Sequence, residues 1–429
     1  MLKKMYYEGN LSNVINSLNG RKEEINKEVN ESVEKIVNNV KNNGDKALIE
    51  YAKQFDRYTI NNIEEIKVTK EEIEQGAKAV GENFIRILNR AKEQITEFHK
   101  NQIEKSWTIY KDNNVIMGQL VRPLKRIAVY VPGGTAAYPS TVLMNIIPAK
   151  LAGVKEIIMI TPVKAGGKIP NVILAAAKVC GIEKIYKIGG AQAIAAVAYG
   201  TETIPKVDKI VGPGNIYVAT AKKYVYGTVD IDMIAGPSEV LVIADEKANP
   251  KYIAADLMSQ AEHDKLSSAI LITTSEQIAD EVNEEIERQI KYLKRKDIIE
   301  YSLTNFGAAI VVKSINEAFD VANEIAPEHL EILVEDPMSQ LSKVYNAGSI
   351  FLGENSPEPL GDYMSGTNHV LPTSGTAKFY SSLGVYDFVK YSSFSYYPKE
   401  VLETFKEDVV EFANLEGLDA HANSIKVRF

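Results

Sequence analysis

Apolar residues at Ile25, Val29, Val33, Ile36, Val37 and Val40 recur at steps of three and four, the spacing of one helical face. Asn43-Gly44 ends that run. A second run, Phe84, Ile87, Leu88, Ala91, Ile95 and Phe98, predicts another long helix, with His99 as a solvated residue at its charged end. The chain reads as helical to about Leu124. From Arg126 short β-branched runs alternate with alanine-rich or amphipathic segments: IAVYVPGG, EIIMITPV, NVILAAAKVCG, KIYKIGG, AQAIAAVAYG, VDKIVGPG and NIYVATAKKYVYG. Such strand–helix alternation predicts a parallel sheet covered by helices on both faces.

A second alternation starts at EVLVIAD (239–245) and runs through ILITTS, FGAAIVVKS, HLEILVED and SIFLGENS. It predicts a second α/β unit. The last stretch, from about Ser381, holds two tyrosine-rich pieces and a helix around Lys399–Phe412, too thin to fold alone.

Composition narrows the function classes. With 429 residues, 45% of them apolar, the chain can form large cores, and its length suggests roughly two to four domains. A net charge of −8 with no basic stripe argues against a nucleic-acid partner. No apolar run reaches the ~18–20 residues of a membrane helix, and the first twenty residues lack the apolar core of a signal peptide. The lone cysteine, Cys180, excludes an intrachain disulfide and fits a reducing compartment, so a cytoplasmic protein is expected. It lies near the end of an alanine-rich helix with no cation beside it in sequence, which reads as packing rather than a nucleophile.

Ligands of open parallel sheets gather at the carboxyl ends of strands. Here those ends are Tyr130–Gly134, Gly189–Gln192 and Gly212–Asn215, each rich in small residues that let an anion approach backbone N–H groups. Neither G-x-G-x-x-G nor a Walker A loop is present, so tight turns and a nucleotide cleft both account for them. Four of the five histidines fall after residue 260: His263, His329, His369 and His421. Gln260 and His263 are spaced to share a helical face, and Asp362 follows a proline-rich loop. Oxygen and imidazole ligands suit zinc with one position open, although spacing alone lets Glu262 compete with Gln260. Glu328-His329, starting a strand after Pro327, offers an acid–base pair. Hydrogen-bonded structural side chains are the competing explanation for each.

At these same residues the chain closely resembles the L-histidinol dehydrogenase family, enzymes of the last steps of histidine biosynthesis. The matching stretches are YVPGGTAAYPST (130–141), GGAQAIAA (189–196), GPGN (212–215), AGPSEVLVIAD (235–245), DLMSQAEHD (256–264), APEHLE (326–331), GDYMSGTNHVLPT (361–373) and EGLDAH (416–421). The resemblance implies one zinc ion per subunit on Gln260, His263, Asp362 and a partner's His421. It implies NAD at Tyr130, Gln192 and Asn215. It implies histidinol at Ser238, Gln260, His263, His329, Asp362, Glu416 and His421, with His369 nearby.

The implied reaction takes an alcohol to a carboxylate through a bound aldehyde, with NAD reduced twice. His329 is the implied base for the hydroxyl proton, and Glu328 activates water for attack on the aldehyde. The implied assembly is a homodimer with composite sites.

The resulting architecture is α/β, two Rossmann-like parallel-sheet domains with a helical N-terminal region and small exchanged terminal arms. The expected extents are an arm at 1–23, a zinc and substrate domain at 24–124 plus 237–380, an NAD domain at 125–236, and a C-terminal arm at 381–429. The alternative function is a zinc and NAD dehydrogenase of the same fold acting on another small polar alcohol. A zinc hydrolase or a non-catalytic nucleotide-binding scaffold is a more distant reading.

Overall fold

The computed structural model describes residues 1–11, 27–56, 58–133, 137–164 and 166–429. Ile25, Gly134 and residues 12–23 of the expected arm lie outside the described residues. Two compact units emerge, one of residues 1–102 with 124–388, the other of 103–123 with 389–429.

The first unit holds both parallel sheets. Lys3–Tyr6 (β1) belongs to the larger of them, pairing with a strand of its own chain. A helix over Lys27–Phe55 follows, with a break at Gly44, whose φ of 50° and ψ of −129° leave the helical region. Helices Lys70–Ala79 and Gly81–Lys100 come next. The expected extents group these helices with the second sheet. They layer over the first sheet instead. Helix Lys27–Phe55 packs on helix Gly190–Tyr199, and helices Lys70–Ala79 and Gly81–Lys100 pack on helices Asn171–Val179 and Pro139–Ala152. These apolar clusters also hold Ala128, Ile158, Ile127 and Val129 of the sheet. An alanine-rich helix presents a flat, close surface that needs a second apolar layer above it, which the N-terminal helix supplies.

His99 is a correction to the sequence reading. It is fully buried, because it falls four residues after Ile95 on the same stripe as Leu88 and Ala91. Its Nδ1 lies 2.7 Å from Gln102 Oε1, and burial lowers its affinity for a proton.

Residues 103–123 were expected to be helical; they form strands. Trp107–Tyr110 (β2) and Ile116–Pro123 (β3) are an antiparallel hairpin, turned by Asn113 and Asn114 at φ 58° and 62°. Asparagine tolerates that left-handed geometry, so the Asn-Asn pair was the available signal.

The first sheet consists of Arg126–Tyr130 (β4), Glu156–Ile160 (β5), Ile185–Tyr186 (β6), Lys209–Val211 (β7) and Asp230–Ile231 (β8), in the order β6-β5-β4-β7-β8. All its pairings are parallel. The chain starts at β4, moves outward through β5 and β6, then returns to the other side at β7. The strand order thus reverses between β4 and β7, the place where parallel sheets open a crevice at their carboxyl ends.

The second sheet adds Glu239–Ala244 (β9), Ser268–Thr273 (β10), Gly307–Val311 (β11), His329–Leu333 (β12) and Ser349–Leu352 (β13), in the order β1-β11-β10-β9-β12-β13. It too is parallel throughout, and it reverses between β9 and β12. Its central strands are buried on both faces, as parallel strands between helical layers must be.

In the second unit Val389–Tyr396 (β14) pairs antiparallel with β3, and helices Lys399–Thr404, Lys406–Leu415 and Asp419–Lys426 follow. Among its described residues only Val115, Gly118, Ala413 and Ala422 are buried. Among the described residues no helix is long and apolar enough to cross a membrane.

Candidate active site

The amino ends of β9 and β12 place two side chains on one residue of the neighbouring strand. Glu328 Oε2 accepts the amide N–H of Glu239 at 2.8 Å, and His329 Nδ1 lies 2.9 Å from the carbonyl oxygen of the same residue. A carbonyl only accepts, so His329 carries its proton on Nδ1 and its lone pair on Nε2. That Nε2 is buried and has no hydrogen-bond partner. Burial pushes the His329 imidazole below its ordinary value, more than the nearby Asp362 carboxylate raises it, so the ring stays neutral near pH 7. Burial also raises the Glu328 carboxyl well above the usual carboxylate range.

A short helix, Glu358–Tyr363, brings two more carboxyls to this point. Its first amide is held by Glu331 Oε1 at 2.7 Å, from a side chain wholly buried in β12. Glu358 Oε1 stands 3.8 Å from His329 Nε2. Burial first, and the Asp362 carboxylate second, push the Glu358 carboxyl up to about 9. Ligand atoms of His329, Glu358 and Asp362 all lie within 4.8 Å of one another.

Gln260, near the end of helix Pro250–Ala261, is buried with Nε2 3.4 Å from His329 Nδ1, while Glu262 caps that helix half-exposed. Of the two residues left open by spacing, Gln260 is the one facing His329. His263 is half-buried and close enough to His329 and His369 to weaken their hold on a proton. His369 lies 3.2 Å from the carbonyl oxygen of Asp362, and its Nε2 is 3.5 Å from Thr141 Oγ1 on the helix that follows β4. That contact ties the two α/β halves together. Ser238 is half-buried immediately before β9. Glu416 and His421 lie in the second unit, where both side chains are exposed.

Three buried polar atoms here lack partners: Gln260 Oε1, His329 Nε2 and Glu358 Oε1. Buried acceptors are rarely left unmatched. Oxygen and imidazole donors converging in this way fit a divalent cation such as zinc. The sequence reading missed Glu358, because a proline-rich stretch reads as a loop. Pro357 is instead the N-cap of a helix and Pro359 lies in its first turn, where proline's missing N–H costs nothing.

The reversal point of the first sheet gathers the three expected strand ends. The Tyr130 hydroxyl accepts the Gly190 amide at 3.2 Å, and burial raises that phenol to about 12. A Cβ placed on Gly190 would meet Gln192 Oε1 at 2.7 Å, and one on Gly212 would meet the Tyr130 carbonyl oxygen at 2.2 Å. Asn215 Oδ1 caps the next helix by accepting the amides of Tyr217 and Val218. A crevice walled this closely by backbone suits a phosphate-bearing cofactor. Cys180 is buried, its thiol pushed up to about 12 by burial, in keeping with a packing role.

Fold and site together are those of a two-sheet α/β dehydrogenase. Comparison with known proteins sharpens this. The family described as histidinol dehydrogenase matches residues 19–429. The chain is 66% identical to the histidinol dehydrogenase of Lactococcus lactis subsp. lactis over 429 residues, 100% of this chain and 99% of that one. It is 59% identical to that of Clostridium acetobutylicum over 413 residues, covering 96% and 95%. The crystal structure of histidinol dehydrogenase from Elizabethkingia anophelis superposes with a TM-score of 0.91 at 39% identity, covering 100% of this chain and 98% of that one. The chain belongs to the histidinol dehydrogenase family.

The Glu358 carboxyl sets a pH dependence. In the native chain it releases its proton near 9, against 4.5 ordinarily, so between those values the native state holds a proton the unfolded chain has lost. Stability therefore falls as pH rises through that window. In the presence of a chelator, the melting temperature of the wild type should drop more steeply from about pH 5 to about pH 9 than that of Glu358→Gln. Parallel curves would show that Glu358 ionises normally.

Proposed function

We propose that this chain oxidises L-histidinol to L-histidine in two NAD-dependent steps through bound L-histidinaldehyde, with His329 and Glu328 as catalytic residues. Family membership supports the substrate. The observation that carries the catalytic reading is His329 Nε2, a buried, unpartnered lone pair on a ring whose other nitrogen is committed to Glu239.

That lone pair takes the hydroxyl proton as hydride departs, and neutrality of the ring keeps it available near pH 7. Glu328, whose raised proton affinity makes its ionised form a stronger base than an ordinary carboxylate, activates water for attack on the aldehyde. As hydroxide adds, His329 returns its proton to the former aldehyde oxygen, and the neutral ring then takes a hydrate hydroxyl proton as the second hydride departs. NAD held at Tyr130, Gln192 and Asn215 would supply the hydride acceptor, with a second NAD replacing NADH before the second oxidation. A zinc ion on Gln260, His263, Asp362 and the partner's His421 would orient the substrate's nitrogen groups. Ser238, His369 and the partner's Glu416 complete the substrate contacts. Holding the aldehyde between steps keeps it from side reactions.

The assembly is a homodimer with shared sites. Supporting it, the second unit has few buried residues and exposes Phe412, Leu415 and Val427 beside Glu416 and His421. The same proposal puts the enzyme in the cytoplasm, where a single buried thiol needs no oxidised partner.

His329→Asn should lower both oxidations by about 10²–10⁴-fold, while Glu328→Gln should lower mainly the aldehyde step. Rapid-mixing measurements of NADH formed from histidinol and from histidinaldehyde separate the two. Equal losses at both steps in Glu328→Gln would contradict the division of labour. Gln260→Ala should strip zinc from the dimer while Glu262→Ala retains it, as read by elemental analysis. Equal zinc content in both variants would remove Gln260 from the ligand set.

A further inference from the structure

One buried ion pair serves no part of the reaction just described. Lys222, on helix Ile216–Val225, and Asp232, just after β8, are in ion-pair contact, with their side chains 3% and 1% exposed. Both grip the same residue. Asp232 Oδ2 accepts the amide of Gly212 at 2.7 Å, and Lys222 Nζ donates to the carbonyl of Gly212 at 3.1 Å. The other Asp232 oxygen accepts the amide of Met233 at 2.6 Å.

Gly212 directly follows β7 at the reversal point of the first sheet. Its φ of 108° belongs to the left-handed region, and it has no side chain through which packing could hold it. Its geometry must be fixed through its two peptide groups, and the pair fixes both. Lys222 sits in the last turn of the helix that Asn215 caps, so its ammonium ties the loop to the far part of the helix that follows it. A neutral hydrogen-bonding pair would spare the desolvation of two charges. A charged pair spends that free energy on a stiffer, better-oriented hold.

We propose that Lys222 and Asp232 are positioning residues for the dinucleotide, holding the Gly212–Asn215 loop in the conformation that receives it. This rests on the reading that NAD lies at the β4–β7 reversal. Neither side chain touches the cofactor in this account; they act through Gly212.

The test is NADH binding by calorimetry, without histidinol, to the full-length zinc-loaded protein. Lys222→Met/Asp232→Leu removes both charges together, so neither is left buried alone. The expected result is a folded protein with wild-type zinc content and histidinol affinity. Its NADH Kd and its KM for NAD should rise together by about 10–100-fold, with kcat at saturating NAD changed far less. An unchanged NADH Kd in that folded variant overturns the proposal.

Should the double variant not fold, Asp232→Asn carries the test, since it keeps an oxygen for the Gly212 amide but loosens Lys222. A smaller rise in the same direction supports the proposal, and none overturns it. Gly212→Ala and Asn215→Ala separate the two levels. If either weakens NADH binding while the pair variants do not, the crevice is right and the positioning role is wrong. If both bind NADH like the wild type, the dinucleotide lies elsewhere and the proposal falls with that reading.

Discussion

The geometry of the site depends on one residue of backbone. Glu239 offers its amide to Glu328 and its carbonyl to His329, and those two bonds orient the adjacent side chains at the start of β12. They settle the tautomer of the imidazole, which decides that Nε2 can act as a base. They are possible because β9 and β12 are parallel neighbours in a register that pairs His329 with Val240. A one-residue slip would turn both side chains to the opposite faces of the sheet. Precision at the site is therefore inherited from the most buried part of the second sheet.

Around that clasp the fold accepts destabilising burial. Glu328, Glu331 and Glu358 all have proton affinities raised by burial, and Asp256, beside Glu331, is pushed up to about 6. Such a cluster has no value to folding by itself, since carboxyls in an apolar setting lose hydration without an opposing charge. Its members hold one another and the start of helix Glu358–Tyr363, which carries Asp362. A bound cation would offset the cost, which accounts for unmatched polar atoms gathered at a single point. The first sheet uses a different device, in which neutral glycine backbone rather than charge walls the crevice.

Much of this was legible from the residues. The strand ends at Tyr130, Gly189 and Gly212 and the Glu328-His329 step were found because short β-branched runs and glycine pairs are local signals. Helical spacing put Gln260 and His263 on one face but left Glu262 open as a rival; the family resemblance supplied the choice of Gln260. Other features depend on tertiary context. His99 reads as solvated until its place on the Leu88–Ala91–Ile95 stripe is followed to the end of the helix. Strand β2 is four residues long and wholly exposed, and β3 buries only one of its eight residues, so the apolar pattern around them is weak and the Asn113-Asn114 turn is easily passed over. Glu358 escaped because its burial follows from Glu331, a contact between positions 27 residues apart. The N-terminal helices carry an apolar face but nothing that says which sheet will cover it. His421, with Glu416 near it, stood out among the late histidines, but its role at a partner's site came from the family resemblance.

The central claim is that one site carries an alcohol through both oxidations without releasing the aldehyde. The most direct measurement is the ratio of NADH formed to L-histidinol consumed by the purified, zinc-loaded protein, with an aldehyde trap present in solution. The account predicts two NADH per histidinol, with L-histidine as product and nothing captured by the trap. One NADH per histidinol, with the aldehyde recovered in the trap, would contradict it.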